Sequence, residues 1–280
     1  MKKKTTTKPE QCFNCGTAIK GNFCHSCGQR VRDNLDRSLG RLLGEFFGNV
    51  FFFDNRFFLS LWYTIRYPGR MTVEFLDGKR KKFISPVTLF LFFNLIFFFV
   101  NPLTDYSLSL ADQMYSQPYS PLITDMVVDK IKKEKLDDKA YSATYQRTSD
   151  DISKSIMILN IPIIALFVYL MGFTRRRFYF DSLIFTFHYF SIFILSWVMQ
   201  KWVDTSLEFF FGLGESLLAL ILFAIFTLGI PLLYAILSIK KFLDVRWYVA
   251  IFAGIGTVLA VAITNLFYRL IVFLITFWST

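Results

Sequence analysis

All four cysteines of the chain lie between residues 12 and 27, in two matching knuckles. These are Cys12-Phe13-Asn14-Cys15-Gly16 and Cys24-His25-Ser26-Cys27-Gly28. Two residues between thiolates let one tight turn aim both sulfurs at a single ion, and the glycine after each pair tolerates the backbone that such a turn requires. Two knuckles supply four sulfurs, a closed tetrahedral set with no position left for water. The spacing therefore predicts one structural Zn2+ in a zinc ribbon, with a rubredoxin-like iron site as the alternative. Two paired motifs so close together weigh against a redox dithiol. His25 reads as a surface residue of the second knuckle. A ribbon this short has almost no apolar core, so metal binding would supply much of its folding energy.

A second group with chemical meaning is the run Lys79-Arg80-Lys81-Lys82. Four adjacent cations ahead of an apolar segment act as a topological stop signal and suit anionic lipid or an acidic partner. A third group is scattered through apolar stretches: Asn94, Asn160, Asp181, His188, Asn265 and Arg269. Ionisable residues in such a setting are functional candidates by default. Asp181 and His188 lie seven apart and Asn265 and Arg269 four apart, so each pair shares a helical face. The structural alternative is that Asp181 and Arg269 sit near the interfaces, while Asn and His hydrogen-bond between helices. No Ser-His-Asp grouping, HExxH or phosphate loop occurs in the sequence. No enzyme and no catalytic residue is expected.

The elements that carry these groups are apolar. Hydrophobic residues make up 54%, Phe fills 35 positions and charged residues are 19%. The fold class expected is an all-α polytopic membrane protein with about five spans, at about 83–100, 156–173, 179–199, 217–239 and 248–278. Residues 1–30 form the ribbon with its basic tail, 31–82 a platform, and 83–280 the transmembrane bundle with an external loop at 101–155. In the platform Leu39, Leu42, Leu43, Phe46, Phe47, Val50 and Phe51 form one helical stripe. Phe57, Phe58, Leu61, Trp62 and Ile65 form another after Asp54. Both are too polar to span, and read as amphipathic helices in the headgroup plane or packed beneath the bundle.

Net charge is +10, with most of the excess before Phe83. Beside apolar spans, this favours the anionic cytoplasmic leaflet over nucleic acid. The start MKKKTTTKPEQ has no apolar h-region, so the N-terminus is expected to stay in the cytoplasm. Arg175–Arg177 after the second span and Lys240, Lys241 and Arg246 after the fourth place those loops in the cytoplasm too, and the C-terminus outside. A reduced cytoplasmic ribbon agrees with this orientation. Asn160-Ile161-Pro162 and Gly229-Ile230-Pro231 lie at matching places in spans 2 and 4, which suggests a weak internal repeat with two Pro-broken helices.

The order of motifs resembles a known pattern. The cysteine knuckles precede Phe53-Asp54-Asn55-Arg56-Phe57, Tyr67-Pro68-Gly69, Phe75-Leu76-Asp77-Gly78-Lys79-Arg80-Lys81 and Phe83-Ile84-Ser85-Pro86. This is similar to an uncharacterised bacterial family of zinc-ribbon, multi-pass membrane proteins of unknown function. The resemblance covers roughly residues 12–100. It implies a bacterial inner membrane and no established activity. The expected function is a non-enzymatic anchor or scaffold that docks a cytoplasmic protein partner beside membrane lipids. A small-solute transporter or channel using spans 2 and 4 is the alternative, and a lipid-modifying enzyme the third. Oligomeric state is not legible.

Overall fold

The structure is a computed structural model, and it describes residues 10–30, 55–100, 108–172, 178–212 and 216–280. The basic tail, the Leu39–Phe51 stripe, Phe53-Asp54 and the Arg175–Arg177 triplet lie outside the described residues. Among those described there is no strand, only two isolated antiparallel bridges in the cysteine region. The helices are α1 (Asn55–Arg66), α2 (Arg70–Leu76), α3 (Pro86–Val100), α4 (Leu110–Tyr115), α5 (Ser120–Glu134), α6 (Asp138–Ile156) and α7 (Asn160–Gly172). They continue as α8 (Tyr179–Phe211), α9 (Leu217–Leu243) and α10 (Trp247–Ser279).

Three helices, α8, α9 and α10, are long and apolar enough to cross a membrane, and a fourth crossing exists if Asp138–Ser153 and Met157–Gly172, which meet at a 53° bend, count as one span. The first expected span is shorter than anticipated: α3 has 15 residues, below the roughly 17–25 of a full crossing. Its start is set by Pro86, whose fixed φ suits a first helical turn. The residues just before it are tied down differently, with the Ile84 amide donating to Ser60 Oγ at 3.0 Å.

Many large apolar side chains face outward. On α9 the large residues Leu220, Leu228 and Leu233 are exposed, whereas Ala219, Thr227, Ala235 and Ser238 are buried. Phe252, Leu259 and Phe267 project outward from α10. In water so much contiguous apolar surface would aggregate; against acyl chains it is the stable arrangement. Several buried hydroxyls satisfy themselves on their own helix. Thr186 donates to Ser182 O at 2.8 Å, Ser191 to Phe187 O at 2.8 Å and Thr257 to Ala253 O at 2.8 Å.

The chain divides into two compact units. The first comprises residues 1–97 and 165–258. Its centre is the N-terminal half of α8, buried almost without a break from Phe180 to Ile194. Phe185 stacks on Phe242 of α9 with ring centroids 5.0 Å apart, and Phe90 of α3 meets Phe187 at 5.7 Å. Close helix approach depends on glycine: a Cβ at Gly254 would lie 2.5 Å from Ile236 Cγ1. The short helix α2 is packed into this unit, with Met71, Thr72, Glu74 and Phe75 all buried. Gly69, which opens α2 at φ 74°, sits so near α9 that a Cβ would come within 2.5 Å of Ser238 O. One side of residues 70–76 therefore packs among helices, while Arg70 stays exposed.

The second unit comprises residues 98–164 and 259–280. Here α4, α5 and α6 cover the last part of α10 through a core of Ile123, Val127, Tyr141, Tyr145, Phe273 and Phe277. The Tyr268 hydroxyl donates to Ser153 O, and Lys130 Nζ to Phe277 O at 2.7 Å. Within the expected external loop, α5 is thus a folded helix facing a hydrophobic partner.

Candidate metal centre and basic turn

The two cysteine knuckles are local copies of one another, twelve residues apart. In the first, Cys12 N donates to Thr17 O at 2.8 Å, Gly16 N to Cys12 O at 2.7 Å, and Gln11 bridges Ala18. In the second, Cys24 N donates to Gln29 O at 2.8 Å, Gly28 N to Cys24 O at 2.8 Å, and Phe23 bridges Arg30. Gly16 and Gly28 both take the left-handed conformation, at φ 76° and 68°. That is the turn the Cys-X-X-Cys-Gly spacing demanded.

The turns bring all four Sγ atoms within 4.8 Å of one another. Cys12 and Cys27 are 3.6 Å apart, and Cys15 and Cys24 3.5 Å. A disulfide needs about 2.0 Å, whereas four sulfurs ~2.3 Å from one tetrahedral ion stand about 3.8 Å apart. The geometry fits a four-thiolate metal site and could hold a metal ion. Hydrogen bonds with the Thr17 side chain and backbone pull the Cys15 thiol down to about 6, towards the thiolate that a metal requires. Burial pushes Cys27 the other way, to about 11, and a central cation would reverse that shift.

The cysteine region sits on a second feature. Gln29 donates from Nε2 to Gly78 O at 2.7 Å and accepts at Oε1 from Lys81 N at 3.3 Å. A Cβ at Gly78 would meet Phe13 Cβ at 2.9 Å, so the first knuckle packs on the same turn. This is the turn that bears the four cations, and they do not behave alike. Lys82 Nζ lies 2.7 Å and Lys79 Nζ 3.8 Å from Glu74 Oε2, and Arg70 Nε lies 2.9 Å from Glu74 Oε1. Arg80 lies over the Phe75 ring at 5.3 Å, and Lys81 is exposed. Burial raises the Glu74 carboxyl, but hydrogen bonds from Lys82 and Arg70, with their charge, outweigh it and hold the group below its ordinary range. Lys82 is opposed by burial and raised overall by Glu74 and by its hydrogen bond to the Tyr63 hydroxyl at 3.1 Å.

The scattered polar candidates do not form one site. Asp181 accepts from the Phe178 amide at 3.2 Å and so caps α8. His188 Nδ1 pairs with Thr72 Oγ1 at 2.8 Å, with Phe75 edge-on to its ring. Asn160 donates to Met157 O at 3.2 Å, fastening the 3-10 turn that precedes α7. Asn94 is half-buried on α3, and Asn265 is half-buried on α10 with its Oδ1 unpartnered. Arg269 donates to Gln117 at 3.2 Å in the second unit. Sequence reasoning missed Gln29, Glu74 and Arg70. The Arg70–Glu74 spacing of four was a readable signal; Gln29 left none, because its partners are far along the chain.

A family described as a protein of unknown function (DUF3667) matches residues 54–98, which run from α1 through Glu74 and the basic turn into α3. No curated protein and no solved structure matches the chain.

Proposed function

We propose that the protein is a non-enzymatic anchor in a bacterial inner membrane, and that its cysteine ribbon and basic turn together dock a cytoplasmic protein partner. The observation that carries this reading is the bond from Gln29 to Gly78, which joins the ribbon and the cationic turn into one surface. The ion in the ribbon is one structural Zn2+. The bundle crosses five times, with α3 and α7 as the short members. The N-terminus faces the cytoplasm and the C-terminus the outside. Co-purification from native cells in mild detergent tests the reading. The expected result is a partner held by the wild-type chain and lost from Cys12→Ser/Cys27→Ser, with both proteins extracted equally. Recovery of the monomer alone from wild type would count heavily against it.

Movement of a small solute is the second reading, favoured by irregular backbone at both expected prolines. A π turn at Ile225–Gly229 precedes Pro231, and a 3-10 turn at Met157–Leu159 precedes Pro162. Single cysteines placed along α9 in a ribbon-silenced chain would react with a water-soluble thiol reagent through Thr227–Tyr234 if an aqueous path runs there. A uniformly unreactive stretch would remove this reading.

A further inference from the structure

The three cations around Glu74 are more than the carboxylate needs. Glu74 is 9% exposed, while Arg70, Lys79 and Lys82 are 50%, 41% and 30% exposed. The acid is thus an inward anchor and the cations are its outward face. Three cations over one ionised carboxylate leave two positive charges uncancelled on a small patch. The patch is also ordered: Lys82 is fixed by the Tyr63 hydroxyl, and the Arg70 guanidinium lies over both the Tyr63 and Tyr67 rings, 5.9 and 5.4 Å from their centroids.

The preceding helix α1 presents an exposed apolar edge. On α1 the hydroxyls of Ser60 and Thr64 are buried, while Phe58, Trp62 and Ile65, at helical spacings of four and three, are 61%, 59% and 51% exposed. Large apolar residues outward and small polar ones inward suit acyl chains on that edge. Tyrosines between an apolar edge and a cation cluster reproduce the order of the membrane interface, from acyl chain to ring to phosphate.

We propose that Arg70, Lys79 and Lys82, held in place by Glu74, bind the phosphate headgroup of an anionic phospholipid whose chains lie along Phe58, Trp62 and Ile65. The arginine offers planar donors to phosphate oxygens and the lysines act as point charges. Glu74 gathers the three within 3.8 Å of its carboxylate, so the site meets its ligand preorganised. Lys81, although exposed and cationic, stands outside the site. This inference rests on α1 lying in the membrane surface.

The test uses the full chain purified in a neutral detergent, titrated with phosphatidylglycerol or phosphatidylcholine and read by native mass spectrometry. Wild type should prefer phosphatidylglycerol. Each lost cation should weaken it about fivefold, so Arg70→Gln/Lys82→Gln should weaken it about twenty-fivefold. Lys82→Arg should retain binding, and Lys81→Gln should stay within about twofold of wild type. Equal loss for K81Q and K82Q would mean diffuse attraction and overturn the site. Absence of any phosphatidylglycerol preference would overturn it as well. Displacement of the lipid by millimolar inorganic phosphate would also do so, because the ligand would then be a free anion. In parallel, a lipid-phase carbene reagent should label α1. No headgroup preference with α1 labelled sinks this inference alone; no preference with α1 unlabelled sinks the platform reading too.

Discussion

The Gln29 carboxamide closes on the backbone of a turn about fifty residues away, donating to Gly78 O at 2.7 Å and accepting from Lys81 N at 3.3 Å. Gln29 follows the last cysteine by two positions and its own carbonyl accepts from Cys24 N, so the knuckle that would hold the metal also aims the amide. Metal state and basic turn are therefore mechanically linked. Chelating the metal, or Gln29→Ala with the metal kept, should raise hydrogen exchange at residues 78–82. Two hydrogen bonds at about 0.5–1.5 kcal/mol each give a local effect of roughly 1–3 kcal/mol. Unchanged exchange in both cases would show that the turn holds itself.

The four sulfurs should bind one metal ion, with zinc recovered at about one equivalent per chain by the four-thiolate rule. Cys12→Ser plus Cys27→Ser removes one ligand from each knuckle, including both atoms of the 3.6 Å edge. Full metal content in that double variant, measured by atomic emission, would refute the site.

What the sequence made legible was local. The cysteine turns repeat every twelve residues, and each is closed by bonds within nine positions, so spacing alone dictated them. Helix-length apolar runs likewise marked α8, α9 and α10. Contacts between distant segments left no such trace: Thr72 meets His188 across 116 positions. Nor does an apolar stripe say which way it faces when the solvent is lipid. Phe57 of α1 turns inward beside Ser60 and Thr64, and its neighbour Phe58 turns outward. In a soluble protein the stripe would have settled the face; in a bilayer, packing of small residues settles it.

Acid should weaken the Glu74 cluster. A carboxyl held low in the folded state contributes stability that is present above its unfolded value, about 4.3, and is lost as pH falls through the folded one. Lys82, held high, contributes below its unfolded value of about 10.4 and loses that only at stronger alkali. The cluster is therefore intact through the neutral range. Between pH 7 and pH 3 the wild-type melting temperature should fall further than that of Glu74→Gln. Parallel curves for the two proteins would show that Glu74 contributes no linkage.

Gly69→Ala should damage the fold more than Gly254→Ala. At Gly69 φ is 74° and the new Cβ would lie 2.5 Å from the Ser238 carbonyl oxygen, so both strain and a backbone clash oppose it. Together these amount to about 3 kcal/mol or more. At Gly254 the nearest atom, also 2.5 Å away, is Ile236 Cγ1, with the Ile236 Cα and N at 3.1 Å; the substitution there meets a clash but no left-handed backbone. Thermal melts in detergent rank the two; equal or reversed stabilities would mean that α9 yields at Ser238.

The C-terminus should lie on the opposite side of the membrane from the basic turn. In α8 the first cation after Tyr179 is Lys201, about 33 Å along at 1.5 Å per residue. In α10 the first after Trp247 is Arg269, at the same spacing. Both distances match a hydrocarbon core of roughly 30 Å. Between them α9 runs back, reaching Lys240 and Lys241 in its last turn. Charges thus appear once per bilayer thickness and alternate in side, and the end of α9 is the more cationic one. Lys241 also packs beside Gly69, placing that end with the basic turn. On this topology Arg269, bonded to Gln117, should sit at the far boundary and not at mid-membrane. An alkaline phosphatase fused after Thr280 should be active. A silent phosphatase, with an active cytoplasmic reporter at the same point, would require an even number of crossings and would send the basic turn and the C-terminus to one side.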